Sequence, residues 1–419
     1  MNTKPKNILS KGGSQTRLKQ HNIDLVISRI NKDAPITKKE IVKKTGLSFA
    51  KVNSITMNLL SIGLIKETGK AESNGGRPSA MYKINPNFGY IISCELSHKK
   101  INTIVVDLNA KIISKHSVAF DIKLGKDSLI SKILECIKIE LENTKFSIDK
   151  IIGIGIAVAG LVNPQNGMST PFPHLVDWGD IALKDIVEKA FGLYCYIENV
   201  ANAAALAELN YGVKKEVDNI LALNVGSGIG LGIILDGRLY HGITGSAGEL
   251  GHITVDENGP LCMCGNVGCL ETLASTTAVV IQAKEMLIKQ VVSRLTTLAN
   301  GNPDNIDFKL ICESAFQGDK LAFSLLDEMG RNLGEGIVTL INLLNPKKII
   351  VGGEVCYAKE MVMRSILNVV QKRALEIPRK VAEIVFSTIG SDAGIIGATV
   401  PVIEHYFSVL PKHVAEQIQ

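Results

Sequence analysis

Between Thr16 and Asn31 the apolar positions Leu18, Ile23, Val26, Ile27 and Ile30 recur with a helical period, which predicts an amphipathic helix. Thr37, with Glu40 three residues on, has the pattern of a capping box and predicts a short helix ending at Gly46. Ser48 then caps a third helix that places Val52, Ile55, Leu59 and Ile62 on one face. After Gly63, the segments Leu64 to Thr68 and Met81 to Ile84 read as strands joined through a glycine-containing stretch, Gly69 to Gly76. Two short helices joined by a tight turn and followed by a hairpin are the pattern of a winged helix-turn-helix. Residues 1–14 are polar and without period, which predicts a disordered tail or a DNA-contacting arm.

Beyond residue 86 the pattern changes. Strands are predicted at Tyr90 to Cys94, Ile101 to Leu108 and Lys111 to Phe120, followed by a helix over Ser128 to Asn143 and a strand at Ile151 to Val158. A second series starts with Ile220 to Val225, turns through glycines into Gly232 to Leu235, and later reaches Lys348 to Val351 after a helix-rich stretch. Strands mixed with helices in two similar halves predict an α/β body with a cleft between lobes. The longest apolar run, Ile151 to Val162, has 12 residues with three glycines, too short to span a bilayer. The polar, lysine-rich N-terminus does not read as a secretory signal, so the expectation is a cytoplasmic chain with no membrane partner.

Charge sharpens the division. Residues 1–86 hold 16 Lys or Arg against 5 Asp or Glu, whereas the remainder holds 30 against 36. A basic head on an acidic body is suited to attraction by phosphate backbones, although a solvated basic tail has the same composition. On the third helix Ser48, Asn53 and Ser54, with Lys51 at the edge, form a polar face able to approach base edges and phosphates. The tip of the hairpin reads Gly75-Gly76-Arg77-Pro78, in which glycines allow close approach and proline fixes the backbone beside Arg77 for a narrow minor groove. A three-helix unit also serves protein interaction, but charge and hairpin together favour double-stranded DNA.

Two stretches carry chemistry. The loop Asn224 to Gly232 holds glycines at 226, 228, 230 and 232, which suit either a phosphate cradle or a structural turn. More specific is Gly248-Glu249-Leu250-Gly251-His252 followed by Cys262, Cys264 and Cys269. One imidazole and three thiolates within 18 residues can close a tetrahedral zinc site with no open position, structural rather than hydrolytic. The other cysteines, Cys94, Cys136, Cys195, Cys312 and Cys356, are scattered and predict no disulfide framework.

At these residues the chain resembles the ROK family of repressors, open reading frames and sugar kinases. The resemblance extends to Ala159-Gly160-Leu161-Val162-Asn163, Glu198-Asn199-Val200-Ala201-Asn202, the 226–232 loop and Val351-Gly352-Gly353-Glu354. The head resembles that of the repressor branch, which includes N-acetylglucosamine and xylose repressors. The implied fold is a winged helix-turn-helix over residues 1–86, then two actin-like (ribonuclease-H-like) lobes. The first covers 87–199 and is completed by a C-terminal helix at about 393–419; the second, 200–392, holds the zinc loop and a dimerisation surface.

Two departures from the kinase pattern are visible. The position where kinases of the family carry a base is Val200, which accepts no proton. The first phosphate loop reads Glu95-Leu96-Ser97-His98-Lys99 and lacks its glycines. No catalytic residue is therefore assigned. The resemblance implies sugar contacts from Asn199, Glu249, His252 and Glu271, with His252 also on zinc. His174 stands where an asparagine often touches the sugar, and is either a sugar contact or a structural histidine. The implied function is a sugar-responsive repressor, a homodimer or tetramer on operator DNA, induced by a sugar or sugar phosphate. The alternatives are control by a phosphotransferase-system protein and an active kinase with an autoregulatory head.

Overall fold

The computed structural model describes residues 11–71, 78–97, 100–121, 124–144, 146–169, 179–212 and 217–417. The head comprises α1 (Lys11–Asp33), β1 (Ile36–Thr37), α2 (Lys38–Thr45), α3 (Phe49–Ser61), β2 (Ile65–Lys70) and β3 (Ala80–Ile84). Thr37 and Glu40 form a reciprocal capping box on α2. The helix stops at Gly46, whose φ of 70° lies in the left-handed region that only glycine enters freely. Ser48, in extended conformation two residues on, accepts from the Lys51 N–H and opens α3 as a separate helix. The strands form a three-stranded antiparallel sheet in the order β1-β3-β2. The strand β1 was not anticipated, because two residues carry no alternation. Two expectations are corrected here. Leu18, placed on the buried stripe of the first helix, is 56% exposed, while Ile23, Val26, Ile27 and Ile30 are buried. The helix also begins at Lys11, inside the stretch expected to be irregular up to residue 14.

The first lobe contains β4 (Tyr90–Leu96), β5 (Lys100–Asp107), β6 (Ile112–Ala119), α4 (Lys126–Asn143), β7 (Ile151–Val158), β8 (Val162–Asn163), β9 (Met168–Ser169), α5 (Leu183–Phe191) and β10 (Cys195–Asn199). Its sheet runs β10-β7-β4-β5-β6, with β4 parallel to β7 and antiparallel to β5. The chain then crosses along α6 (Val200–Tyr211) to the strands β11 (Ile220–Val225), β12 (Ile229–Leu235) and β13 (Arg238–Leu239). There follow α7 (Leu270–Ala274), α8 (Thr276–Ile288), α9 (Leu295–Leu298), α10 (Phe308–Phe316), α11 (Lys320–Leu344), β14 (Lys348–Gly352), α12 (Lys359–Arg373), α13 (Glu376–Val381) and β15 (Glu383–Phe386). The second sheet is β13-β12-β11-β14-β15. The chain returns along α14 (Ala393–Gly397) and ends in α15 (Val400–Gln417), which packs against α1 of the head and β7 of the first lobe.

The two crossings, α6 and α14, pack directly on one another. They can do so because the contact is built from minimal side chains. A Cβ on Gly397 would overlap the Ala203 carbonyl oxygen, and one on Gly155 of β7 would overlap the Ala398 carbonyl. Ala157, Ala203 and Ala398 fill the remaining space as a small buried cluster. A larger hydrophobic core runs from Ile23, Ile27 and Ile30 of α1 through Val402, Ile403 and Leu410 of α15 to Ile91 and Ile104 in the first sheet. Head and body therefore share one apolar interior. The stretch Gly390–Pro411 has the length and hydropathy of a membrane span, but 72% of its apolar window is buried inside the protein, where it serves this core.

Replacing Gly397 by alanine forces its Cβ into a backbone carbonyl and should destabilise the body by about 1–3 kcal/mol. Gly179→Ala, whose added Cβ meets nothing within 4 Å, should leave the urea midpoint unchanged. Equal midpoints for both variants would show that the crossing is not close-packed.

Candidate functional site

The outward face of α3 is where the polar residues lie. Ser48, Lys51, Asn53 and Ser54 are all exposed, while Val52, Thr56 and Leu59 are buried on the opposite side. Lys38 at the start of α2 donates to Asn53 Oδ1 at 2.8 Å, fixing that amide on the surface. Phe49 and Met57 extend the exposed face, at 55% and 53% exposure, and were not singled out from the sequence. Arg77, with Gly75 and Gly76, lies outside the described residues, as do residues 1–10 of the expected arm.

In the body, a helical turn over Leu250–His252 and a cysteine-bearing loop are held together by backbone pairing. Leu261 and Val267 form a bridge, Cys262 N–H donates to the Asn266 carbonyl at 2.7 Å, and Asn266 Nδ2 donates to Thr254 Oγ1 at 2.9 Å. This brings one donor atom each from His252, Cys262, Cys264 and Cys269 within 4.8 Å of one another. Cys262 Sγ lies 3.6 Å from His252 Nδ1, and Cys264 Sγ lies 3.7 Å from Cys269 Sγ. A tetrahedron with zinc–sulfur bonds of ~2.3 Å and a zinc–nitrogen bond of ~2.1 Å has edges of about 3.8 and 3.6 Å. The donor set thus has the spacing and chemistry of a structural metal site. The Asn266 backbone N–H also lowers the Cys264 thiol from its ordinary range, favouring the thiolate that a metal needs.

The other ring nitrogen of His252 points elsewhere. Nε2 is 3.8 Å from Glu249 Oε2, and burial raises the Glu249 carboxyl, with His252 opposing and Glu271 reinforcing the effect. Glu271, in the first turn of α7, accepts from the Ile229 N–H at 2.9 Å. Glu249, His252 and Glu271 therefore form one cluster. Asn199 is also committed to the architecture. Its Oδ1 caps α6 by accepting from Ala201 and Asn202, and its Nδ2 donates to the Gly160 carbonyl at 2.8 Å. His174 lies outside the described residues.

The glycine loop forms the turn and second strand of a hairpin. Strand β12 starts at Ile229, three residues before the expected Gly232, and pairs with β11 as a hairpin. Gly230 and Gly232 face Ala201 and Ala205 of α6, and a Cβ at either would strike them. Val200 faces Gly394 together with Glu95: a Cβ on Gly394 would lie 2.6 Å from Val200 Cγ2 and 2.7 Å from Glu95 Oε2. Burial pushes the Glu95 carboxyl up to about 7, against the hydrogen bond from Asn102. His98 and Lys99 of the first loop lie outside the described residues.

One contact had no counterpart in the sequence reading. Glu198, fully buried at the end of β10, accepts from Asn199 N–H at 2.9 Å, Asn202 Nδ2 at 3.1 Å and Tyr196 Oη at 3.4 Å. Its second oxygen lies 2.9 Å from Nε2 of His241, a residue of the second lobe. His241 belongs to no motif, and only the folding of β13 beside β12 brings it to Glu198.

Two actin-like lobes around a cleft, with a cysteine-rich loop beside a carboxylate–imidazole cluster, define a protein of the sugar-kinase fold class. Residues 91–404 match the ROK family, and the chain belongs to that family. The xylose repressor of Bacillus spizizenii is 32% identical over 402 residues, covering 94% of this chain and 98% of the relative. The crystal structure of a ROK family transcriptional regulator, a homologue of the Escherichia coli Mlc protein, is 31% identical and superposes with a TM-score of 0.79 over 95% of this chain and 99% of that one. A ROK family glucokinase from Streptomyces griseus, solved with glucose and AMPPNP, is 32% identical with a TM-score of 0.68 and covers 74% of this chain and 98% of its own.

An aspartate placed at Val200 would share a low-dielectric site with Glu95, and two carboxylates so close do not both ionise. Val200→Asp alone should therefore give no ADP release from ATP with D-glucose or D-xylose in a coupled assay. Turnover in that variant would show that the missing base was the sole obstacle to catalysis.

Proposed function

We propose that this chain is a sugar-responsive transcription repressor. Its head acts as a winged helix-turn-helix that carries α3 into the major groove of operator DNA, with Arg77 of the wing in the minor groove. Its body acts as a sensor, holding a sugar or sugar phosphate among Asn199, Glu249, His252 and Glu271, with His174 as a further candidate contact. The observation that carries the reading is the pairing of Val200, where a kinase needs a base, with an intact carboxylate–imidazole cluster. Such a cleft binds a polyol by meeting its hydroxyls with carboxylates and an amide. The similarity to a xylose repressor over 94% of the chain supports the same reading.

Zinc fits the His252, Cys262, Cys264 and Cys269 set, and when bound supplies a closed structural node. His252 then links that node to the cleft: Nδ1 faces the thiols while Nε2 faces Glu249. This fixes the imidazole orientation at the effector site. A homodimer presents two heads to a pseudo-palindromic operator, and an effector acts by binding one arrangement of the lobes better than the other. DNA as the target implies a cytoplasmic setting.

The direct test is operator affinity by fluorescence anisotropy across a panel of sugars and their phosphates. At least one compound is expected to weaken binding, and constant affinity across the panel would sink the induction mechanism. Arg77→Ala should cost about 1–3 kcal/mol in operator binding without altering thermal stability. Cys264→Ser should lose zinc by elemental analysis and lower the melting temperature; full metal occupancy in that variant would overturn the ligand set.

A further inference from the structure

Glu198 and His241 come from opposite lobes. Glu198 ends β10 of the first sheet, and His241 follows β13 of the second. His241 opens a compact loop closed by Ala247 N–H on its carbonyl at 3.1 Å. The loop reaches back to the first lobe, for a Cβ on Gly245 would strike the Val162 carbonyl oxygen of β8. Immediately after the loop come Gly248 and Glu249, and on the other side Glu198 holds Asn199 N–H and Asn202. One buried carboxylate thus joins the N-terminus of α6 to the loop that delivers Glu249.

We propose that Glu198 and His241 form a proton-dependent clasp between the lobes, positioning the 241–249 loop and so the effector cluster. This deepens the sensor reading and rests on it. Neither residue is assigned contact with the effector; both act through the loop. A fully buried carboxylate is costly unless its acceptors are met, and an imidazolium at 2.9 Å meets one oxygen with a charge-assisted hydrogen bond. Among the described residues the titratable group in contact with the pair is Tyr196, on β10 itself, and Tyr194, with Glu404 of α15, acts on Tyr196 in turn. All three add negative potential when ionised and none of it opposes the imidazolium.

The hydrogen bond from His241 to Glu198 raises the imidazole above its ordinary range, with desolvation opposing. A raised value means that the clasp is complete below the free imidazole range, about 6.5, and is lost as pH rises through the folded value.

Hydrogen exchange of the full-length chain tests this without any effector. Protection of amides 241–249, corrected for intrinsic rates, should fall about tenfold between about pH 6 and about pH 9, as expected for losing a charge-assisted hydrogen bond. His241→Ala should be unprotected at both values. His241→Gln, which donates without titrating, should restore partial protection that is flat with pH. A flat profile in the unaltered protein, or His241→Ala protection equal to it, would overturn the clasp. A sugar panel that never alters operator affinity, with the pH profile intact, would instead overturn the sensor reading and leave the clasp standing.

Discussion

The crossing of α6 and α14 is the contact on which the rest of the body depends. Each helix carries the chain between lobes, and each also begins at the cleft, α6 with Asn199 as its cap and α14 beside Glu95. The helices approach closely because Gly397 meets the Ala203 carbonyl and Gly394 meets Val200. Close-packed interiors transmit displacement instead of absorbing it. The helix α15, which follows α14, lies directly on α1 of the head. The shared core of Ile23, Ile27, Val402 and Ile403 joins that helix to the helices of the head.

The surroundings of Glu249 and Val200 are set by backbone packing as much as by side-chain chemistry. In the hairpin β11–β12, Gly230 and Gly232 leave no room for a side chain because Ala201 and Ala205 occupy the space beside them. Glu271 remains tied to the Ile229 N–H, and Glu249 remains beside His252. At the start of α6, an apolar Val200 packs against Gly394 next to a buried Glu95. Valine at this position accepts no proton, while the carboxylates of Glu249 and Glu271 stay beside His252.

Local patterns were legible in proportion to how local their physics is. The Thr37–Glu40 capping box, the Gly46 stop and the Ser48 cap depend on groups within four residues, and all form as the spacing predicts. The strands Ile151–Val158 and Ile220–Val225 have the predicted bounds because each is a short stretch dominated by apolar residues. Leu18 was misplaced because a helical stripe says which residues share a face, not how far along the helix a partner extends. The hydrogen bonds that Asn199 makes to α6 and Gly160 were not legible, because they require separate stretches of chain to meet.

The amino-acid sequence by itself determined the basic three-helix head, the α/β alternation of the body and the His252–Cys269 donor set. Each rests on periodicity, charge or spacing confined to one stretch of chain. Only the tertiary structure decided which glycines are packing surfaces, that Val200 and Glu95 both lie against Gly394, and that His241 meets Glu198 across 43 residues. Those outcomes depend on how the two sheets face each other, and no local period encodes that geometry. The crossing helices set it, through contacts so small in side-chain terms that the sequence shows only glycine and alanine.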